Sequence, residues 1–97
     1  MPVVAVFQGP NVTQKVYEDS VRALTGGKDR VQSPSDWPVQ GLLVHVAGQG
    51  PNGFRVVDVW ESEEAFNRFG AVIGPILQKL GVDTQPEVYA SHTVVSA

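Results

Sequence analysis

Gly48-Gln-Gly-Pro-Asn-Gly53 separates two runs that read as strands, LLVHVA over 42–47 and FRVVDVW over 54–60. Both are rich in β-branched and aromatic residues, and the glycines and proline between them supply a turn. The pair forms a hairpin, which commits the chain to an antiparallel sheet. If Gly50 closes opposite Gly53, the register places His45 opposite Asp58 and Leu43 opposite Trp60. Cross-strand neighbours have Cβ atoms ~5 Å apart, within reach of an imidazole–carboxylate hydrogen bond. A turn of odd length would move every partner by one residue.

The remaining elements follow from punctuation and periodicity. Val3 to Gln8 is a first strand, ended by Gly9-Pro10. Asn11 or Thr13 can cap a helix whose apolar stripe is Val16, Tyr17, Val21 and Leu24, and Gly26-Gly27 stops it. Lys28 to Gln40 is a long polar connection with Ser33-Pro34 and Trp37-Pro38 inside it; loops of that length in compact domains are more often functional than idle. Ser62 caps a second helix, with Glu63 and Glu64 against the positive end of its dipole. Its stripe is Phe66, Phe69, Ile73, Ile76, Leu77 and Leu80, and Gly74-Pro75 predicts a kink or break within it. Val88 to Val95 is the last strand. The order strand, helix, strand, strand, helix, strand predicts one α+β domain over 1–97, a ferredoxin-like βαββαβ fold with a four-stranded antiparallel sheet backed by two helices.

Alternation then divides the hairpin into two faces. Placing the aliphatic set Leu42, Val44, Val46, Val57 and Val59 under the helices leaves Leu43, His45, Ala47, Phe54, Val56, Asp58 and Trp60 on the uncovered side. That side is too apolar to face water, so a second copy is expected to cover it. Two such sheets would dimerise into an α/β barrel, enclosing a cavity lined by these residues.

Composition excludes several classes. The 97 residues carry seven Lys and Arg, scattered along the chain, and a net charge of −3. No basic patch results, so neither nucleic acid nor an anionic membrane surface is an expected partner. There are no cysteines, hence no disulfide, thiolate nucleophile or thiolate metal site. Met-Pro-Val-Val runs directly into a strand without a basic segment and long apolar stretch, so no signal peptide is expected, and no apolar run has the length of a membrane span. The expected compartment is the cytoplasm. His45 and His92 show none of the short spacings of a metal site, and no metal or other cofactor is expected. GQGPNG lacks the lysine and following helix of a phosphate-binding loop.

Gly41-Leu-Leu-Val-His45-Val-Ala47, Gly53-Phe-Arg-Val-Val-Asp58-Val-Trp60-Glu61-Ser62, and Phe66 with Phe69 in the following helix together resemble the dimeric α/β-barrel superfamily, in particular its small antibiotic-biosynthesis-monooxygenase-like proteins. The resemblance covers nearly the whole chain. It implies the fold and dimer above, and a family range that includes cofactor-independent oxygenases, haem-degrading enzymes and polyketide cyclases. Oxygenases of this kind are associated with Asn, Trp and His side chains around the cavity; Asn11, Trp60, His45 and His92 are the residues available here.

His45 and Asp58 are the candidate catalytic pair, the carboxylate orienting an imidazole that moves protons. The plainer reading is a hydrogen-bonded pair that satisfies two polar groups at an interface. Leu43, Phe54, Val56, Trp60, Trp37, Tyr89 and His92 are candidate cavity-lining residues. Trp60 also reads as core, His92 as an exposed chain-end histidine, Tyr89 as sheet surface, and Trp37 as either a lid or a ring packed where Pro38 fixes the chain. The leading function is a homodimeric cofactor-independent monooxygenase, or a cyclase or isomerase, acting on a small aromatic or polyketide-like molecule. The alternative is a non-catalytic dimeric module that binds a small apolar ligand.

Overall fold

The hairpin closes as its turn predicts: Gly50 pairs with Gly53, Ala47 with Val56, and His45 with Asp58. The computed structural model describes residues 1–28 and 30–95; positions 29, 96 and 97 of the expected domain lie outside the described residues. The elements are β1 (Val3–Phe7), α1 (Gln14–Thr25), a single 3-10 turn at Pro34–Asp36, β2 (Leu42–Gly50), β3 (Gly53–Trp60), α2 (Glu63–Lys79) and β4 (Glu87–Ala90). The strands pair antiparallel in the order β2-β3-β1-β4, which is the ferredoxin-like arrangement.

Local chemistry accounts for the helix ends. Thr13, not Asn11, caps α1, its hydroxyl accepting from the Val16 amide; Gly26 ends the helix at φ 75°, where a side chain would be strained. Ser62 caps α2 by accepting from the Ala65 amide. The break expected at Gly74-Pro75 does not occur, and α2 runs through Pro75. Gly74 offers no Cβ to the proline ring, and Ala71, whose carbonyl loses its partner, is exposed and can be served by water. The last strand is also shorter than expected. β4 stops at Ala90, so His92 lies beyond the sheet.

The main correction concerns which face the helices cover. The ladder rows Leu42–Trp60–Val3, His45–Asp58–Ala5 and Ala47–Val56–Phe7 share one face, and it is the helix side. Trp60 is fully buried and stacks on Phe69 of α2 at 4.9 Å between ring centroids, while Phe54 lies against Tyr17 of α1 at 5.3 Å. Each aromatic ring removes about 150–250 Å² from water, more than a valine can, so the rings take the covered side. Val44, Val46, Val57 and Val59 face outward instead, joined in their rows by Val4, Val6 and Tyr89. Val46 is 58% exposed and Tyr89 47%.

A register shift between Leu42 and Val44 lets Leu42 sit opposite Trp60 in place of Leu43. Leu42 is buried in the core with Val3, Val21, Leu24 and Phe69, and Leu43 is 44% exposed. The chain reaches this point through Gly41, whose φ of +111° and closeness to Ala65 exclude a side chain. Among the described residues no helix is long and apolar enough to cross a membrane.

Candidate functional site

His45 and Asp58 meet in the layer between sheet and helices. Their placement follows from the hairpin register, and Ala5, the next residue in the same row, is small enough to leave space beside the carboxylate. Nδ1 of His45 lies 2.6 Å from Oδ1 of Asp58, and the two side chains are only 11% and 9% exposed. On the other side of the ring, Nε2 lies 2.6 Å from the hydroxyl of Tyr17 on α1. Three groups from three elements therefore form one hydrogen-bonded line, Asp58–His45–Tyr17.

With the carboxylate ionised and the ring neutral, the line fixes the tautomer of His45. An ionised carboxylate only accepts, so Nδ1 carries a proton and donates it to Asp58. In the neutral ring Nε2 is then the acceptor, and Tyr17 donates to it. Burial, and secondarily the negative charge of Asp58, push the Tyr17 phenol above its ordinary value of 10.0, which keeps it protonated and donating. Trp37, just after the 3-10 turn, packs over the imidazole with ring centroids 4.9 Å apart and reaches Phe69 at 5.7 Å.

Three cavities adjoin along this line. The central one, about 70 Å³, is walled by Tyr17, Trp37, His45, Val56, Asp58 and Phe69 among others, and the surface it exposes is almost wholly apolar. A second of about 390 Å³ shares Tyr17 and His45 and opens towards Gln14, Glu18, Arg30 and Phe54. A third of about 260 Å³ shares Val56, Asp58 and Phe69 and runs under α2 past Ala5 to Thr84. Together the three form a cleft between helices and sheet with the Asp58–His45–Tyr17 line across its middle.

The expected site residues fare unevenly. Trp37 and Val56 wall the central cavity, and Phe54 lines the second. Trp60 is buried beneath Phe69 and walls none of the three. Leu43 and Tyr89 are on exposed positions away from the cleft, displaced by the bulge and by the facing of β4, and the exposed His92 also lines none of these cavities. His45, Phe54, Val56, Asp58 and Trp60, expected on the open face of the sheet, face the helices instead, so the cleft that the first four border lies between sheet and helices. Asn11 donates to Asp83 at 3.5 Å rather than to the cleft. Tyr17 is the residue sequence reasoning passed over: it was one member of an apolar stripe, and its signal is a phenol in a stripe otherwise made of aliphatics. Among the described residues no group of three or more His, Cys, Asp or Glu side chains gathers where a metal ion could sit.

A mutant of SnoaB, a cofactor-independent oxygenase from Streptomyces nogalater, has a crystal structure that superposes on 99% of this chain and 96% of its own, with a TM-score of 0.55 and 16% sequence identity. The likeness establishes the fold. It agrees with the resemblance drawn from the sequence, a small α+β domain with four antiparallel strands. No protein-family model matches the chain, and no curated protein does.

Proposed function

We infer that the chain is an acid–base enzyme that removes a proton from a small, largely apolar organic molecule bound in the cleft. The observation that carries this reading is the Asp58–His45–Tyr17 line, part-buried and set beside an apolar cavity. As the phenolic oxygen of Tyr17 takes a proton from a substrate carbon, its own proton passes to Nε2, and Asp58 stabilises the imidazolium that forms. Because burial holds the phenol protonated, the two transfers are coupled rather than preceded by free tyrosinate.

Carbanion formation is the step shared by cyclisation, isomerisation and cofactor-independent oxygenation. The fold likeness to SnoaB favours the last. With dioxygen as co-reactant, a substrate methylene becomes a carbonyl: two C–H bonds break, a C–O double bond forms, the O–O bond breaks, and the second oxygen leaves as water. Pairing of two copies through the outward valine face belongs to the same reading, since Val46 and Tyr89 on that face stand exposed in one chain.

The test is deuterium exchange at the α-carbon of a panel of enolisable aryl ketones, followed by NMR, with oxygen uptake measured alongside. The wild type should exchange faster than buffer. His45→Asn keeps a donor towards Asp58 but breaks the relay, and should lose ~10²–10⁴-fold in rate while ligand affinity survives. Tight binding across the panel with no exchange above buffer would instead mark a ligand-binding module.

A further inference from the structure

Asp58 spends one of its two carboxylate oxygens inside the protein. Oδ1 accepts from Nδ1 of His45 at 2.6 Å, whereas Oδ2 makes no hydrogen bond among the described residues. The side chain is only 9% exposed, yet Oδ2 is not sealed in as the indole nitrogens of Trp37 and Trp60 are. Asp58 walls both the central cavity and the third, so its free oxygen is open to a molecule lying in either. An ionised carboxylate has about four lone-pair sites and no proton to give, and a single bond leaves it under-served in an apolar wall. The donors around the central cavity do not answer it: the Tyr17 hydroxyl is engaged with His45, and the Ser20 hydroxyl donates to the Tyr17 carbonyl at 2.8 Å. Among the described residues neither wall carries a lysine or arginine.

We propose that Asp58 Oδ2 accepts a hydrogen bond from a neutral hydroxyl on the bound molecule, so that the cleft takes small hydroxyarenes. This deepens the proton-transfer reading and rests on it for the role of Tyr17. The charge on Asp58 selects a donor and repels an anion, with no cation on the two walls to offset it. A hydroxyl brings one proton to one free oxygen. A primary ammonium brings three, and those not taken by Oδ2 would face Phe7, Phe69, Ile73 and Leu77. The same side chains call for a flat apolar body behind the hydroxyl. Asp58 and Tyr17 stand on opposite sides of the imidazole, so a molecule anchored at Oδ2 lies along His45 and carries its far end to the Tyr17 hydroxyl, where the C–H bond breaks. The anchor thereby fixes which carbon loses its proton: one across the molecule from the hydroxyl, not beside it.

The experiment compares 1-naphthol with naphthalene, which has the same bicyclic body without the hydroxyl, by calorimetry at neutral pH. Wild-type protein should bind the naphthol about 10–100-fold more tightly, the range of a hydrogen bond to a charged group. Asp58→Leu, which puts an apolar group of similar size in place of the carboxylate, should bind the two alike. In wild type labelled with ¹³C at the aspartate carboxyls, the Asp58 resonance should move with 1-naphthol and not with naphthalene, a readout that does not depend on the variant folding. Equal binding of the two compounds, failure of the naphthol to bind, a preference that survives Asp58→Leu, an unmoved Asp58 resonance, or equal affinity for 1-naphthylmethylammonium would overturn the proposal. Since binding is read without turnover, absence of deuterium exchange with the hydroxyl preference intact would remove the proton-transfer reading and leave this one standing.

Discussion

Nδ1 of His45 and Oδ1 of Asp58 lie 2.6 Å apart across the hairpin, directly opposite in register and covered by the helices. A pair joined this way has its tautomer set by the carboxylate, and the consequences can be measured.

Asp58→Asn keeps the shape of that contact and changes its chemistry. The amide can donate to Nδ1, which turns the imidazole so that Nε2 carries the proton and can no longer accept from Tyr17. Proton-exchange activity is expected to fall by ~10³–10⁴-fold, the scale seen when an orienting carboxylate is neutralised elsewhere. The Tyr17 phenol should also titrate at lower pH than in wild type, because one cause of its upward shift is gone. It should remain above 10.0, because burial, the larger cause, persists. Ultraviolet titration of the variant beside the wild type reads this.

The outward valine face predicts self-association. Val46 is 58% exposed in one chain, so Val46→Asp should leave the protomer folded. Facing a second copy, it would bury a carboxylate without a partner, which costs several kcal/mol and should weaken pairing at least 100-fold. Sedimentation of the wild type at micromolar concentration should show twice the 10.4 kDa of one chain, and of the variant a single chain. Equal masses for the two proteins would mean that copies do not meet through this face.

Asp36 gives the Trp37 loop a pH dependence of known sign. The Lys28 ammonium, then the Gln32 and Ser33 amides, hold its carboxyl below the ordinary value of 3.8. A carboxyl depressed in the folded state contributes its stabilisation fully above 3.8 and loses it as pH falls through the lowered value. Acidification below that point should therefore release the loop, seen as a change in Trp37 fluorescence, with neutral pH silent. Asp36→Asn should remove that acid transition and show the released signal at pH 7.

The hairpin and its cross-strand pairing were readable because the turn sets register through Gly50 and Gly53, a local constraint. So were the cap at Ser62 and the stop at Gly26, while the cap of α1 was narrowed to Asn11 or Thr13, of which Thr13 serves. The covered face was not readable from alternation, since both faces of the hairpin carry apolar residues. Counting aliphatics favoured the valines, whereas the outcome followed ring size at Phe54 and Trp60 and the hydroxyl of Tyr17, which gave His45 a partner under the helix. The bulge at Leu43 has no turn residue to announce it, and Pro75 was accommodated by the glycine before it and by solvent around Ala71.

Leu42 and His45 are three positions apart yet share the covered side, which strict alternation forbids. In terms of phase, Leu43 is a half-period inserted into β2, so the strand above it and the strand below it are out of step by one residue. The hairpin below keeps its beat from the Gly50–Gly53 turn, while the segment above takes its own from Leu42 docked against Trp60. The tether of the Trp37 loop is thereby decoupled from the register of the relay. Changes in loop length or sequence over 28–40 can be absorbed without moving His45 against Asp58, so the wall that Trp37 gives the cleft can vary while the Asp58–His45–Tyr17 line stays fixed.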